Sequence, residues 1–159
     1  MPYEVQIREV GPQTIMSIRA VVPTLEMVKF FDDACNEMRA YVTQIGGRIV
    51  GPAMSLWQSE PGLIKDGFDI ETCLPVEHPV PSIGRMRCSE LPAGVHVFTV
   101  HHGPYDDMSN AFDAVWKWIQ ENDYEMAGPP RDVVLEGPKD TNDPTAYRTE
   151  IVFPISARK

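Results

Sequence analysis

Glu150-Ile151-Val152-Phe153-Pro154, close to the end of the chain, echoes Glu71-Thr72-Cys73-Leu74-Pro75 near its middle. Working outward from this pair, a shift of about 81 positions lays Glu9 on Glu90, Pro23 on Pro104, Met27 on Met108, Phe31 on Phe112 and Asp32 on Asp113. Gly51-Pro52 falls on Gly128-Pro129 at a slightly shorter shift. The matches keep one order along the chain, as a duplicated unit does and scattered coincidences do not. Residues 3–75 and 88–154 are therefore expected to be two copies of one module, with the Pro- and Gly-rich stretch 76–87 as connector.

Each copy reads as strand, helix, strand, strand. Val5 and Ile7 alternate with Glu4, Gln6 and Arg8 at the period of a half-buried strand, and a second extended stretch covers 14–22. Thr24 stands where an N-cap belongs. Beyond it, Leu25, Val28, Phe31, Cys35, Met38, Val42 and Ile45 form an apolar stripe at helical spacing, which Gly46-Gly47 closes. Strands are expected over 48–57 and 68–75. The second copy has a strand at 95–102 and a helix over 105–122, with Asp106 and Asp107 in its first turn, where they complement the helix dipole. Strands near 132–136 and 147–155 complete it. Neither copy has enough helix to cover its own sheet. The economical architecture is one α+β domain over 1–159, with antiparallel sheet and two main helices from pseudo-symmetric modules.

A chain of 159 residues suits one domain with a real core. Its 43% hydrophobic and 23% charged residues match a soluble globular protein, and no apolar run is long enough to span a bilayer. The N-terminal stretch also lacks a signal peptide's apolar region, so the cytoplasm is the expected compartment. Cys35, Cys73 and Cys88 are odd in number and form no CxxC pair, which argues against a disulfide framework or thiolate zinc site. The formal net charge of −9 repels phosphate backbones, and no Lys/Arg stripe offsets it. Direct nucleic-acid binding is disfavoured.

Glu150 is the residue most in need of a partner. It sits in an apolar strand, where an unpaired buried carboxylate costs several kcal/mol, roughly. Arg148 and Arg131 are the structural partners at hand; a cationic ligand is the functional one. Its counterpart Glu71, with Asp69 nearby, reads as structural or as a pocket edge. Trp57, Tyr105 and Trp116 are candidate aromatic surfaces, because a ring beside a carboxylate suits a planar cation. On the helical wheel, Phe112, Val115 and Ile119 centre the second helix's stripe, and Trp116 and Trp118 flank it. Adjacent His101 and His102 face opposite sides of a strand and cannot easily share a metal. No HExxH, P-loop, Gly-x-Gly-x-x-Gly or Gly-x-Ser-x-Gly pattern occurs, so neither a metal site nor a nucleotide cofactor is expected.

The opening YEVQIREV, the HHGPYDDM segment leading into FDAVWKWI, the YEMAGPP turn and the closing YRTEIVFPI together resemble the GyrI-like domains, also called AraC effector-binding domains. The resemblance covers essentially the whole chain. It implies paired strand-helix-strand-strand modules around a ligand cleft. It places on Glu150 the glutamate that neutralises a cationic ligand, and suggests Tyr105, Trp57, Trp116 and Tyr147 as ring contacts. Three functions stay open. The first is a stand-alone binder of cationic or planar amphipathic molecules, in sensing, sequestration or resistance. The second is a metal-independent hydrolase of strained, cyclopropane-bearing electrophiles, with Glu150 and Tyr105 as its catalytic candidates. The third is a protein-interaction modulator with DNA gyrase or a regulator as partner. The sequence is silent on oligomeric state.

Overall fold

Gly67 illustrates how tightly the chain is drawn: a Cβ built on it would lie 2.3 Å from the Val22 carbonyl oxygen, so only glycine fits. The computed structural model describes residues 3–59 and 67–158. The elements are β1 (Gln6–Val10), β2 (Gln13–Val22), α1 (Met27–Gln44), β3 (Met54–Trp57), β4 (Phe68–Pro75), β5 (Arg87–Leu91), β6 (Gly94–His102), α2 (Ser109–Glu121), β7 (Tyr124–Met126), β8 (Arg131–Glu136) and β9 (Arg148–Ala157). The fold is mixed α+β, and the strand pairs described below are antiparallel. Among the described residues, no helix is long and apolar enough to cross a membrane.

The chain divides into two compact units. Residues 12–92 form one. Its strands run β3-β4-β2-β5, with Ile18 opposite Thr72 and Ile15 opposite both Pro75 and Ser89. Strand side chains alternate between faces, so Met16 and Ile18 of β2 share a face with Leu74 of β4. Against that face α1 buries Ala34, Cys35, Met38 and Val42. Each large apolar side chain buried there contributes about 1.5–3 kcal/mol.

Residues 1–11 and 93–159 form the other unit. Its order is β1-β6-β9-β8, and β9 pairs with β8 along its first half and with β7 near its end. Val97 of β6 and Ile151, Phe153 and Ile155 of β9 carry α2 through Ala111, Val115 and Ile119. Two strands thus sit away from their sequence neighbours. The N-terminal strand β1 joins the C-terminal unit, and β5 joins the N-terminal one.

Several local readings shift. Thr24 does not cap α1; it opens a 3-10 turn, Thr24–Glu26, and no side chain caps either that turn or α1. The same happens ahead of α2, where Tyr105–Asp107 is a 3-10 turn holding Asp106 and Asp107. The apolar stripe of α1 is buried only in its middle, since Leu25 is 99% exposed and Val28 and Ile45 are exposed as well. Gly46, at φ +76°, does end the helix, with the Gly47 N–H donating to the Val42 carbonyl at 2.8 Å. Ahead of β3, Ile49 only bridges to Val76. Cys35 and Cys73 are buried thiols, and Cys88 is half-buried.

Candidate functional site

In each unit the helix covers one face of the strands, and the carboxylates Glu71 and Glu150 lie on the other. In the C-terminal unit that helix-free face presents Arg8 of β1, His96, Phe98 and Val100 of β6, Glu150 and Val152 of β9, and Arg131 and Val133 of β8. Glu150 lies directly between Val100 and Val133 on the neighbouring strands. Its strand is paired on both sides, so its backbone position is fixed. The side chain is only 12% exposed.

What offsets that burial is Arg8. Its Nη2 donates to Glu150 Oε1 at 2.5 Å and its Nη1 to Oε2 at 3.3 Å, a two-pronged contact of the kind a guanidinium makes with a carboxylate. The same guanidinium lies over the Phe98 ring, with its carbon 4.0 Å from the ring centroid. Neither partner proposed from sequence makes this hydrogen bond. Arg148 instead donates to Glu136, and buried Arg131 stands opposite Val152.

His96, opposite Arg8 on β1, is buried beside two arginines. Burial first, and then the positive charges of Arg131 and Arg8, push its pKa down to about 4, so the ring is neutral near pH 7. His101 faces the other way, into the helix side, and is buried. Its Nε2 donates to the Pro104 carbonyl at 2.9 Å, with the Asp107 carboxylate 3.2 Å away, and its Nδ1 is hydrogen-bonded with the Tyr3 hydroxyl at 2.9 Å. His102 is exposed. The two histidines diverge, as alternation on a strand requires.

Tyr105 and Tyr147 come together. Their rings stack with centroids 5.2 Å apart, at the end of β6 where the Gly103 N–H donates to the Tyr147 carbonyl. Trp116 is an exposed residue of α2, whereas Trp118 stacks on Tyr124.

In the N-terminal unit, Glu71 occupies the helix-free face of β4 opposite Leu56. It accepts from the Ser17 hydroxyl at 2.5 Å and from the Gln58 amide at 2.7 Å. Neighbouring Asp69 is gripped by Arg19 through two bonds, at 2.9 and 2.7 Å, which hold its carboxyl below the ordinary range. Trp57 stands opposite Ile70, so it points to the helix side and meets Phe68 edge-on at 5.3 Å. Trp57 and Glu71 therefore occupy opposite faces of that sheet.

A family model, the GyrI-like small molecule binding domain, matches residues 3–156. The chain belongs to this family. This GyrI-like domain also resembles several solved structures. The C-terminal domain of EcmrR superposes with a TM-score of 0.87 at 23% identity, covering 99% of both chains. A hydrolase encoded by lin2189 from Listeria innocua gives a TM-score of 0.72 at 13% identity, covering 98% of this chain and 93% of that one. SAV2435 bound to tetraphenylphosphonium gives 0.64 at 14% identity, covering 96% and 94%. At such identities the likeness is one of fold. No curated protein matches the sequence significantly.

Sequence reasoning singled out Glu150 as a carboxylate in need of a partner, but not the Arg8, Phe98 and His96 that lie on the same face. Arg8 is 142 residues from its partner, and Phe98 is an ordinary apolar residue of an alternating strand. Only the pairing of β1 with β6 and of β6 with β9 brings the three together.

Proposed function

We propose that this small-molecule-binding domain takes an amphipathic organic cation, with Glu150 as its counter-charge and Phe98 as a ring surface. One observation carries the reading. Glu150 and Phe98 already hold a planar, delocalised cation, the Arg8 guanidinium, between carboxylate and ring. A ligand with a diffuse positive charge and aromatic substituents fits the same chemistry. The tetraphenylphosphonium bound to SAV2435 is a cation of that class. The Tyr105–Tyr147 stack is the further aromatic surface we assign to the ligand. In the N-terminal unit Glu71, bonded by the neutral Ser17 and Gln58 side chains and with Arg19 opposite it, is a separate carboxylate able to answer a positive charge. Sensing, sequestration or resistance are the roles that such binding serves.

Hydrolysis of a strained electrophile is the weaker reading. Both Glu150 oxygens accept from Arg8, and a carboxylate so engaged must be released before it can take or give a proton. Binding without turnover is the simpler use of this geometry.

Calorimetric titration with tetraphenylphosphonium tests the proposal. Glu150→Gln keeps the shape and removes the charge, and its affinity is expected to fall at least about tenfold, or about 1.4 kcal/mol. Equal affinity in variant and wild type overturns the assignment of Glu150.

A further inference from the structure

We infer that Arg8 is a built-in competitor for the Glu150 site: a tethered cation that any ligand must displace, and that thereby sets which cations are accepted. The inference rests on the cation reading of Glu150 given above.

The two partners differ in freedom. Glu150 sits on β9, which is paired along both edges, and its side chain is 12% exposed. Arg8 sits on β1, whose described ladder is to β6 alone, and its side chain is 39% exposed. Swinging the guanidinium off Glu150 into water therefore needs side-chain rotation and no change in the sheet. A guanidinium is weakly hydrated and always charged, so it fills the place well in the absence of ligand and leaves it without a protonation step.

Displacement also selects. A small hydrophilic cation offers Glu150 nothing that Arg8 does not already supply, and it lacks Arg8's tether, which keeps the local concentration of guanidinium high. A successful ligand must bring something more. Val100 and Val133 flank Glu150 on either side, and Phe98 lies under the guanidinium. Apolar or aromatic substituents covering these residues supply the added contact area. Arg8 thus restricts the site to bulky lipophilic cations.

Five proteins titrated with tetraphenylphosphonium and with methylguanidinium decide the matter: wild type, Arg8→Gln, Arg8→Lys, Glu150→Gln and the double variant, each first shown to be folded by thermal melting. Arg8→Gln is expected to bind tetraphenylphosphonium at least about tenfold more tightly than wild type, and the double variant is expected to lose that gain. Methylguanidinium should compete in Arg8→Gln and not in wild type. Arg8→Lys, which keeps the charge without the two-pronged contact, should fall between Arg8→Gln and wild type. In the wild type, the Arg8 Nε resonance should move toward its solvent-exposed position as tetraphenylphosphonium is added. Unchanged or weaker binding by Arg8→Gln overturns the inference, as does a gain that survives in the double variant. If Glu150→Gln loses affinity while Arg8→Gln gains none, this inference falls and the cation reading stands. No binding by any of the five removes both.

Discussion

His96 shows how one buried ring makes the stability of this domain depend on pH. Its folded pKa, about 4, lies below the value near 6.5 that it has in an unfolded chain. Between these two values the unfolded chain carries the proton and the folded chain does not, so stability rises with pH. The contribution is complete above about pH 6.5, is lost as pH falls toward 4, and amounts to on the order of 2–3 kcal/mol. His96→Gln removes the titration. Denaturant unfolding at pH 7, 5 and 4 should show the wild type losing stability more steeply than the variant; parallel pH profiles would contradict the assignment. The neighbours that depress this pKa, Arg8 and Arg131, belong to different strands. Nothing in the local sequence marks His96 out. Glu150 is the opposite case: a carboxylate leading into Ile-Val-Phe-Pro-Ile must be answered by something, so its need for a partner is legible in the sequence. The identity of that something is not, because the side chain that answers it comes from the far end of the chain.

At the scale of elements, periodicity located both helices and most strands, and it failed at their ends. Leu25 and Met38 belong to one apolar stripe when α1 is read as a sequence. In the fold, Met38 is fully buried and Leu25 is almost fully exposed, because the chain enters α1 through a 3-10 turn that departs from the 3.6-residue repeat. Met38→Ala should accordingly cost about 2–5 kcal/mol, and Leu25→Ala should lie within about 0.5 kcal/mol of wild type, measured by denaturant unfolding. A large loss at Leu25 would show that the turn packs against something when the protein is in solution. The short strands β5 and β7 escape a pattern-based reading for a different reason. Each has its apolar residues too few and too exposed to alternate clearly, and each is held by ladder bonds to a longer strand.

For the whole molecule, net charge gives the clearest expectation. A domain carrying −9 should not retard duplex DNA in a gel-shift titration at moderate salt, and a salt-sensitive shift would overturn that expectation. The α+β class and the GyrI-like resemblance were also within reach of the sequence, since the terminal strand, the HHGPYDDM turn and their order carry both. The membership of β1 was not. Alternation announces a strand but never its neighbour, and β1 pairs with β6 rather than with β2, which follows it directly. That choice matters while the protein is being made. At synthesis rates of about 5–20 residues per second, β1 leaves the ribosome roughly 5–20 s before the segment it will pair with, about 90 residues later. For that interval it is a bare strand with every backbone donor and acceptor on offer, the condition that invites pairing with a wrong chain. Its sequence, Gln-Ile-Arg-Glu-Val, is polar enough to wait in water. Arg8 is one of the charges that keep it soluble until β6 arrives, so the nascent chain and the finished site make use of the same side chain.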